Sequence, residues 1–373
     1  MNPAVSRVCP RQIPRVAACA RRSFASQAPG SPVFEVFNRR SKWLQRERAA
    51  ADVEGSRQAD YLKDEVAVRL CERLLVGCTK HPINPKPRGP ARFADCLLLA
   101  LQDIKRQFPR ALDLGANTCN VARALTRENP DPATPTSPPL AGRITELIAA
   151  DSSQGQLYRD ADLPFNDGLA ITRKVLGDEE SLPFEAGSFD LVLSNLSLHW
   201  INDLPGVLSQ INNILKPDCP FIGAMLGGDT LFELRTSLQL AEQDRRGGMS
   251  PRVSPLADVR DVGGLLQKAG FKMLTVDVDD IIVDYPNTFE LMRDLQLMGE
   301  GNAVLGREPG AIGRDVLLAN EAIYRELHGN GDGSIPATFR IIYMIGWHHS
   351  PDQAKPLPRG SADMNLKDIL ENK

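Results

Sequence analysis

The sequence predicts an α/β protein with a doubly wound, Rossmann-like sheet, and three observations support this fold class. Short apolar segments alternate with segments of helical periodicity, which is typical of parallel sheets flanked by helices. Several of the predicted strands end in an acidic residue. The segment 188–223 reads as a complete β-α-β unit, whose strands are expected to lie parallel with a right-handed crossover.

Three predicted strands upstream of this unit end in acids. The first ends in Asp113 and Gly115, the next in Asp151, and the third leads into Asp178 and Glu179. A carboxylate at the end of the second strand suits the two hydroxyls of a ribose, because it can accept both hydrogen bonds. The strand-end acids therefore predict a crevice that binds a nucleoside.

The β-α-β unit supplies the polar residues of the next strand end. Residues 189–193 form an apolar run that is long enough for a buried strand and too short for a buried helix. Ser194 and Asn195 end this run, and His199 follows before the helix. Ligands of open parallel sheets bind beyond the carboxyl ends of the strands, so Asn195 and His199 are predicted to lie at the site.

The remaining chain leaves the regular alternation twice. Insertions at 229–257 and 285–335 are expected to emerge near the carboxyl edge of the sheet and to form a lid that selects the substrate. The pattern predicts helices at 231–245 and 258–268, a strand at 273–284, a helical insertion at 286–328 and a last, antiparallel strand at 335–347.

In their order, the segments LDLG, AAD, LGDEESLPF, SFDLVLSNLSLHW and ILKP resemble the motifs of class I S-adenosylmethionine-dependent methyltransferases. Within that superfamily, SNLSLHWINDLP, FIGAMLGGDTLFELRTSLQLAE and IPATFRIIYMIGW are similar to the mitochondrial complex I assembly factors that act as arginine hydroxylases. The resemblance covers residues 34–360, and a more distant one is to the carrier-protein methyl-ester methyltransferases of biotin synthesis. It implies a Rossmann-like, seven-stranded class I methyltransferase fold with helical lid insertions.

The resemblance also implies a cofactor, a partner and site residues. The cofactor is S-adenosyl-L-methionine, with its ribose on the second strand's acid and its adenine beside the third acidic segment. The partner is a complex I iron–sulfur subunit or an assembly intermediate, and a cationic arginine substrate needs a carboxylate. The predicted cofactor-binding residues are Asp113, Gly115, Asn117, Asp151, Asp178 and Glu179; the predicted catalytic residues are His199 and Asn195; the predicted substrate-binding residues are Tyr61 and Glu233.

The loop after the first strand departs from the family pattern. It reads GANTCN, with a single glycine where family members usually have GxGxG. Glycine is used there because a missing Cβ permits a positive φ and a close approach to the ligand. Asparagine tolerates left-handed geometry next best, so Asn117 is expected to replace one glycine. The thiol of Cys119 is expected to project toward the amino-acid portion of the cofactor. A fold that keeps its acids without binding the cofactor is the alternative.

The amino terminus differs in composition from the rest. Residues 1–34 contain five arginines and no acidic residue, as organellar transit peptides do. The segment RSFAS resembles a matrix processing site, so residues 1–24 are predicted to be a mitochondrial presequence that is cleaved after Phe24. Removing these arginines would lower the formal net charge from −3 to −8, which leaves no electrostatic footprint for nucleic acid. The predicted location is the matrix, with peripheral attachment to the inner membrane left open.

The predicted organisation of the mature chain has three parts. Residues 25–106 form a helical lead-in, residues 107–360 a methyltransferase-like domain and residues 361–373 a tail. No apolar run approaches the roughly 18 residues that span a bilayer.

The residues alone leave the reaction open. Only five histidines occur, without an HxD pair, so no metal site is predicted. Methyl transfer needs less, because the sulfonium is already activated and positioning supplies most of the rate. The residues therefore favour a methyltransferase that acts on a protein or a small carboxylate. The resemblance favours protein-arginine hydroxylation during complex I assembly, and a non-catalytic assembly chaperone is the third class.

Overall fold

The computed structural model describes residues 35–76, 107–127, 140–308, 310–351 and 353. The predicted presequence and the predicted tail lie outside these residues, as do residues 77–106 of the predicted helical lead-in. Within them the chain forms a seven-stranded sheet of order β3-β2-β1-β4-β5-β7-β6. The strands are β1 (Phe108–Leu114), β2 (Ile144–Asp151), β3 (Ile171–Val175), β4 (Leu191–Asn195), β5 (Pro220–Leu226), β6 (Lys272–Tyr285) and β7 (Ile335–Trp347).

The strand directions confirm the predicted fold class. The strands β1 to β5 pair in parallel, and β7 runs antiparallel to both β5 and β6. The strand order reverses at β1, since β2 lies on one side of it and β4 on the other. A crevice therefore opens beyond the carboxyl ends of β1 and β4, where open α/β sheets bind ligands.

Helices cover both faces of the sheet. They are α1 (Arg39–Ala51), α2 (Val53–Ala59), α3 (Tyr61–Val76), α4 (Asn120–Thr126), α5 (Gln154–Arg159), α6 (Leu204–Ile214), α7 (Phe232–Arg246), α8 (Val259–Lys268), α9 (Thr288–Leu297) and α10 (Arg314–His328). Because both faces are covered, the central strands are buried along their whole length, as in β4 and β5.

The core is divided by the sheet, because successive side chains of a strand point to opposite faces. On one face Ala111 packs with Val66 and Leu70 of α3. On the other face Leu112 packs with Val207 of α6. Each fully buried aliphatic side chain contributes on the order of 1.5–3 kcal/mol to folding. The two apolar clusters thus hold the strand ends in place from both sides.

The lead-in helix α1 lies across the carboxyl end of the sheet, where it contacts α5 and α9. Asn38 begins it by accepting a hydrogen bond from the Ser41 N–H group. The segment before the cap is anchored to the β4–α6 region, because the Val36 and Phe37 N–H groups both donate to the Asn202 side chain. This anchoring places the charged face of α1 over the crevice.

Candidate functional site

The acids predicted from the strand ends converge at one edge of the sheet. The side chains of Asp113 and Asp151 end β1 and β2 and are completely buried. Glu179 lies beside them, because its carboxylate accepts hydrogen bonds from the N–H group and the hydroxyl of Ser152, the residue that follows Asp151. Asp178 is turned toward the rim, where it pairs with Arg39 at 2.5 Å.

Three groups of this chain bind the carboxylate of Asp151. Its carboxylate accepts hydrogen bonds from the N–H groups of Asn117 (2.9 Å) and Ser153 (2.8 Å) and from the Arg46 guanidinium. Burial raises the pKa of Asp151, and the positive charge of Arg46 opposes this increase. The cation and the two backbone donors stabilise a carboxylate that burial alone would disfavour.

Arg46 is the central cation of the crevice. Its guanidinium donates to Asp151, to Glu179 at 2.9 Å, to the Asn117 side chain at 3.1 Å and to Gln156 at 3.0 Å. Although burial opposes it, the two carboxylates raise the pKa of Arg46. A planar guanidinium with five donors suits several acceptors at once. Arg46 thereby takes up the hydrogen-bonding positions that a ribose would need on Asp151.

Asp113 contrasts with its neighbour. Neither oxygen of its carboxyl group has a hydrogen-bond partner among the described residues. Burial, together with repulsion from Asp151, raises the pKa of Asp113 to about 8. The group is therefore mostly protonated at neutral pH, and a cationic ligand group beside it would favour its ionised form.

The loop between β1 and α4 follows the prediction in one respect and contradicts it in another. Gly115, Asn117 and Cys119 all have positive φ (70°, 50° and 60°), so Asn117 takes the left-handed conformation predicted for it. A Cβ at Gly115 would lie 2.0 Å from the Ser197 hydroxyl oxygen, so only glycine fits there. The prediction for Cys119 was wrong: its thiol packs in the core against the Leu157 carbonyl, 4.0 Å away, and burial raises its pKa to about 12.

The predicted catalytic residues lie on the far side of the crevice. The Asn195 side chain donates to the Lys63 carbonyl at 3.0 Å, and its own oxygen has no partner among the described residues. The ring of His199 is buried and its Nε2 lies 3.2 Å from Glu300 Oε2. Because burial lowers the pKa of His199, the ring is neutral, and Nε2 donates to Glu300.

Glu300 is a site residue that no sequence motif indicated. Its Oε2 accepts hydrogen bonds from His199 and from the Trp200 indole N–H at 2.6 Å. Although burial opposes it, the bond from His199 and the charges of Lys42 and Lys63 hold the pKa of Glu300 well below its usual range. Glu300 is therefore ionised at neutral pH, and only 10% of its side chain is exposed.

Two buried lysines fix the segment that bears Glu300. Lys42 donates to the carbonyls of Gly299 and Gly301, and Lys63 donates to the Met298 carbonyl and the Asn117 side chain. Burial lowers the pKa of both amino groups, that of Lys42 to about 7. The helices α1 and α3 thus supply cationic side chains both to the crevice and to residues 298–301, at the end of α9.

A cavity of about 710 Å³ lies next to the crevice. Lys63, Trp200 and Glu300 form the part of its wall nearest to the crevice. The helices α7, α9 and α10 of the predicted lid insertions supply much of the apolar wall, and Arg48, Arg252 and Arg307 also line the cavity. These apolar lining residues include Leu231, Leu234, Leu238, Met292, Leu295 and Leu317.

The two predicted substrate residues do not line this cavity. Glu233 is buried, but its carboxylate accepts the Thr338 hydroxyl at 2.5 Å, so it faces β7 and not a ligand. Tyr61 begins α3 at the surface, and its hydroxyl bonds to Tyr285 and Asp294. The expectation that both face the substrate is not met, because each polar group is already paired with a neighbouring element.

No group of three or more histidine, cysteine, aspartate and glutamate side chains in the described residue ranges could hold a metal ion. Within the same ranges, every helix is too short or too polar to cross a membrane.

The sheet order, the antiparallel β7 and the acids at the ends of β1 and β2 define a class I methyltransferase fold. A family model described as a methyltransferase domain matches residues 112–222 of the chain. These residues run from β1 to β5 and include the crevice acids.

The full-length relatives identify the family more closely. "Arginine-hydroxylase NDUFAF5, mitochondrial" of Danio rerio is 43% identical over 350 residues, which is 93% of this chain and 92% of the relative. The human protein of the same name is 44% identical over 336 residues, 90% of this chain and 84% of the relative. The chain therefore belongs to the NDUFAF5 arginine-hydroxylase family. A malonyl-[acyl-carrier protein] O-methyltransferase of Methylovorus sp. is 31% identical over 271 residues, 72% of this chain and 85% of that protein.

Proposed function

We propose that this protein hydroxylates an arginine side chain of a complex I subunit, an iron–sulfur subunit or assembly intermediate, in the mitochondrial matrix. The name of the relatives, which are similar along almost the whole chain, supports the reaction and the compartment. The observation that carries the proposal in this chain is the cavity beside the crevice, which contains one ionised, nearly buried carboxylate. An arginine side chain is long, partly apolar and cationic, and it matches such a cavity.

We also propose that the crevice binds S-adenosyl-L-methionine. Two features fit this ligand: Asp151 is a buried carboxylate at the end of β2, and Asp113 is a buried carboxyl group without a partner. The ribose hydroxyls would bind Asp151, and the cationic amino group of the ligand would lie near Asp113, with Gly115 and Asn117 beneath it. For the second candidate reaction, methyl transfer, the bound ligand would supply a methyl group activated by its sulfonium.

Binding of a nucleoside at Asp151 requires Arg46 to move. The guanidinium and the ribose hydroxyls compete for the same carboxylate oxygens, which already accept two backbone hydrogen bonds. Glu179 and the Gln156 side chain remain as partners for the displaced guanidinium. The nucleoside therefore displaces Arg46 from Asp151. Its net affinity reflects the difference between the ribose–Asp151 and Arg46–Asp151 interactions.

His199 acts in this proposal as a positioning residue. It does not line the cavity, and it reaches the cavity only through Glu300. Its neutral ring orients the Glu300 carboxylate together with the Trp200 indole. Asn195 similarly holds the Lys63 main chain between the crevice and the cavity.

Peptide mass spectrometry of complex I subunits from cells with and without this protein tests the reaction. Loss of a modification of about 16 Da on an arginine in the deficient cells is the expected result. If an increment of about 14 Da appears only when the protein is present, the protein is a methyltransferase. This is the second candidate, which the O-methyltransferase relative favours. An unchanged mass with reduced complex I would identify a non-catalytic chaperone.

A further inference from the structure

We infer that Glu300 is the carboxylate that recognises the guanidinium group of the substrate arginine. This inference rests on the proposed function, because it assumes that an arginine side chain enters the cavity. It replaces Glu233, whose carboxylate is bound to Thr338. Glu300 is chosen because of its orientation, its remaining hydrogen-bonding capacity and its place on the cavity wall.

Among the described residues, three acids line the cavity, and two of them are committed elsewhere. Asp52 is exposed and caps α2 by accepting the Gly55 N–H group. Glu308 is exposed and pairs with Arg246 and Arg252. Glu300 differs from both, since its side chain is nearly buried and it lines the cavity beside Lys63 and Trp200.

The two oxygens of Glu300 are used unequally. Oε2 accepts hydrogen bonds from Trp200 and His199. Oε1 has the Lys63 amino group 3.7 Å away, which is too far for a hydrogen bond. An ionised carboxylate has about four acceptor positions, and a guanidinium offers five donors in a planar fork. Oε1 therefore has unused acceptor positions for a guanidinium N–H, while the Trp200 and His199 bonds fix the plane of the carboxylate.

The neighbouring lysines do not prevent a second cation from binding. The amino groups of Lys42 and Lys63 are directed at backbone carbonyls, and burial lowers the pKa of both. A guanidinium that binds Glu300 disfavours their protonated forms further, so its charge is accommodated by the loss of a proton from an amine. Proton release on binding is therefore a second signature of this site.

The rest of the cavity fits the carbon chain of arginine. Leu234, Leu238 and Leu295 line the same cavity as Glu300. Long cationic side chains bury their methylene groups on apolar surface while the charged end binds a carboxylate. A neutral isostere of arginine would gain the same apolar contacts but lose the charge-assisted bonds, so the charge of the ligand is the quantity to vary.

The test compares binding of Nα-acetyl-arginine amide and Nα-acetyl-citrulline amide to the full mature chain, by calorimetric or NMR titration. Citrulline has nearly the same shape without the charge. We expect the wild-type protein to prefer the arginine probe at least tenfold, since a hydrogen bond to a charged group contributes about 1.5–3 kcal/mol. Glu300→Gln should abolish this preference, and calorimetry of the wild type in buffers of different ionisation enthalpy should detect proton release.

Glu233→Gln is the matched control, because it neutralises a buried carboxylate of α7 that does not line the cavity. It should keep the arginine preference. A full preference in Glu300→Gln, or none in the wild type, overturns the inference, and loss in Glu233→Gln alone restores the sequence prediction. If Glu300→Gln does not fold, as judged by its melting temperature, Trp200→Phe removes one bond that orients Glu300 and should reduce the preference; an unchanged preference overturns the inference.

The proposed reaction and the proposed recognition by Glu300 can be contradicted independently. Charge-dependent binding without any modification of about 16 Da on complex I subunits contradicts the proposed reaction and keeps the recognition site. A confirmed modification, with a full arginine preference retained in Glu300→Gln or with no preference in the wild type, keeps the reaction and removes Glu300 from recognition.

Discussion

The crevice and the cavity lie side by side, yet they are built in different ways. The crevice is made of strand ends, and its charges are paired: Asp151 and Glu179 share Arg46. The cavity is made of helices and the segment after α9, its walls are mostly apolar, and its one nearly buried acid keeps an oxygen available. The difference suggests that the crevice must exchange an internal partner for its ligand, whereas the cavity can receive a cation directly.

Within the crevice, Asp113 and Asp151 show the same contrast on a smaller scale. Both are fully buried at adjacent strand ends. Asp151 has a cation and two backbone donors, while Asp113 has no partner among the described residues. The two aspartates at these neighbouring strand ends therefore differ in their surroundings, because Arg46 of α1 binds only one of them.

The largest expected effect is a loss of stability when the ion pairs of Arg46 in the crevice are removed. Arg46→Ala leaves two buried carboxylates without their cation, and removing one partner of a buried ion pair costs about 3–5 kcal/mol. Urea unfolding at neutral pH should show a loss of this size. Arg40→Ala removes an exposed arginine from the same helix and should change stability by less than about 0.5 kcal/mol. Equal effects of the two variants would mean that Arg46 does not stabilise the crevice.

The next effect concerns the nucleoside. Asp151→Ala removes the acceptor of two ribose hydrogen bonds, which contributes on the order of 1–3 kcal/mol. Calorimetry with S-adenosylhomocysteine should show affinity that is at least about tenfold weaker. Equal binding by the variant and the wild type would remove Asp151 from the ligand site.

Arg46→Gln tests whether the Arg46 guanidinium competes with the ligand for Asp151. If the guanidinium competes with the ribose, its removal should tighten binding of S-adenosylhomocysteine, whereas Asp151→Ala weakens it. Weaker binding by Arg46→Gln would mean that Arg46 contacts the ligand, and the exchange proposed for the crevice would be incorrect.

The last effect is the pH dependence that Asp113 produces, which between pH 5 and pH 8 amounts to about 4 kcal/mol, similar in size to the effect of Arg46→Ala. The folded protein holds a proton on this carboxyl group up to about pH 8, whereas the ordinary pKa is 3.8. The unfolded chain binds fewer protons in that window, so Asp113 makes stability decrease as the pH rises through it, by up to about 1.4 kcal/mol per pH unit. Asp113→Asn should lose this contribution. Urea unfolding at pH 5 and pH 8 checks it, and identical pH dependence in both proteins would contradict the raised pKa.

The sequence predicted the part of the molecule that depends on local patterns. Apolar runs and their acidic ends located the strands and the crevice acids, because a strand end fixes a residue at the sheet edge wherever the rest of the chain lies. Left-handed geometry at Asn117 was also predictable, since it depends on the residue type in a short loop.

The residues that were missed act across long sequence separations. Arg46 reaches Asp151 from 105 positions away, and Lys63 reaches Met298 from 235 positions away. Periodicity cannot reveal such pairs. One signal was available: Lys42 and Arg46 lie four residues apart, so both occupy one face of α1, and that face proved to be buried.

Glu233 and Tyr61 show the opposite kind of error, because the sequence assigned them to the substrate site and the structure pairs them with other elements. Their residue types suited a substrate, but their polar groups were needed to join neighbouring elements, α7 to β7 and α3 to β6. A sequence cannot distinguish a carboxylate available for a ligand from one bound to a threonine. Glu300, which follows a short helix without any motif, remained available.

Cells that lack this protein provide the most direct test of the account, by re-expression of single variants. The quantity to measure is the fraction of the modified complex I peptide that carries the additional 16 Da on arginine. Wild type and Glu233→Gln should restore it, whereas Asp151→Ala and Glu300→Gln, at equal protein levels, should not. Full restoration by Glu300→Gln would contradict the claim that the cavity beside the crevice binds the substrate arginine.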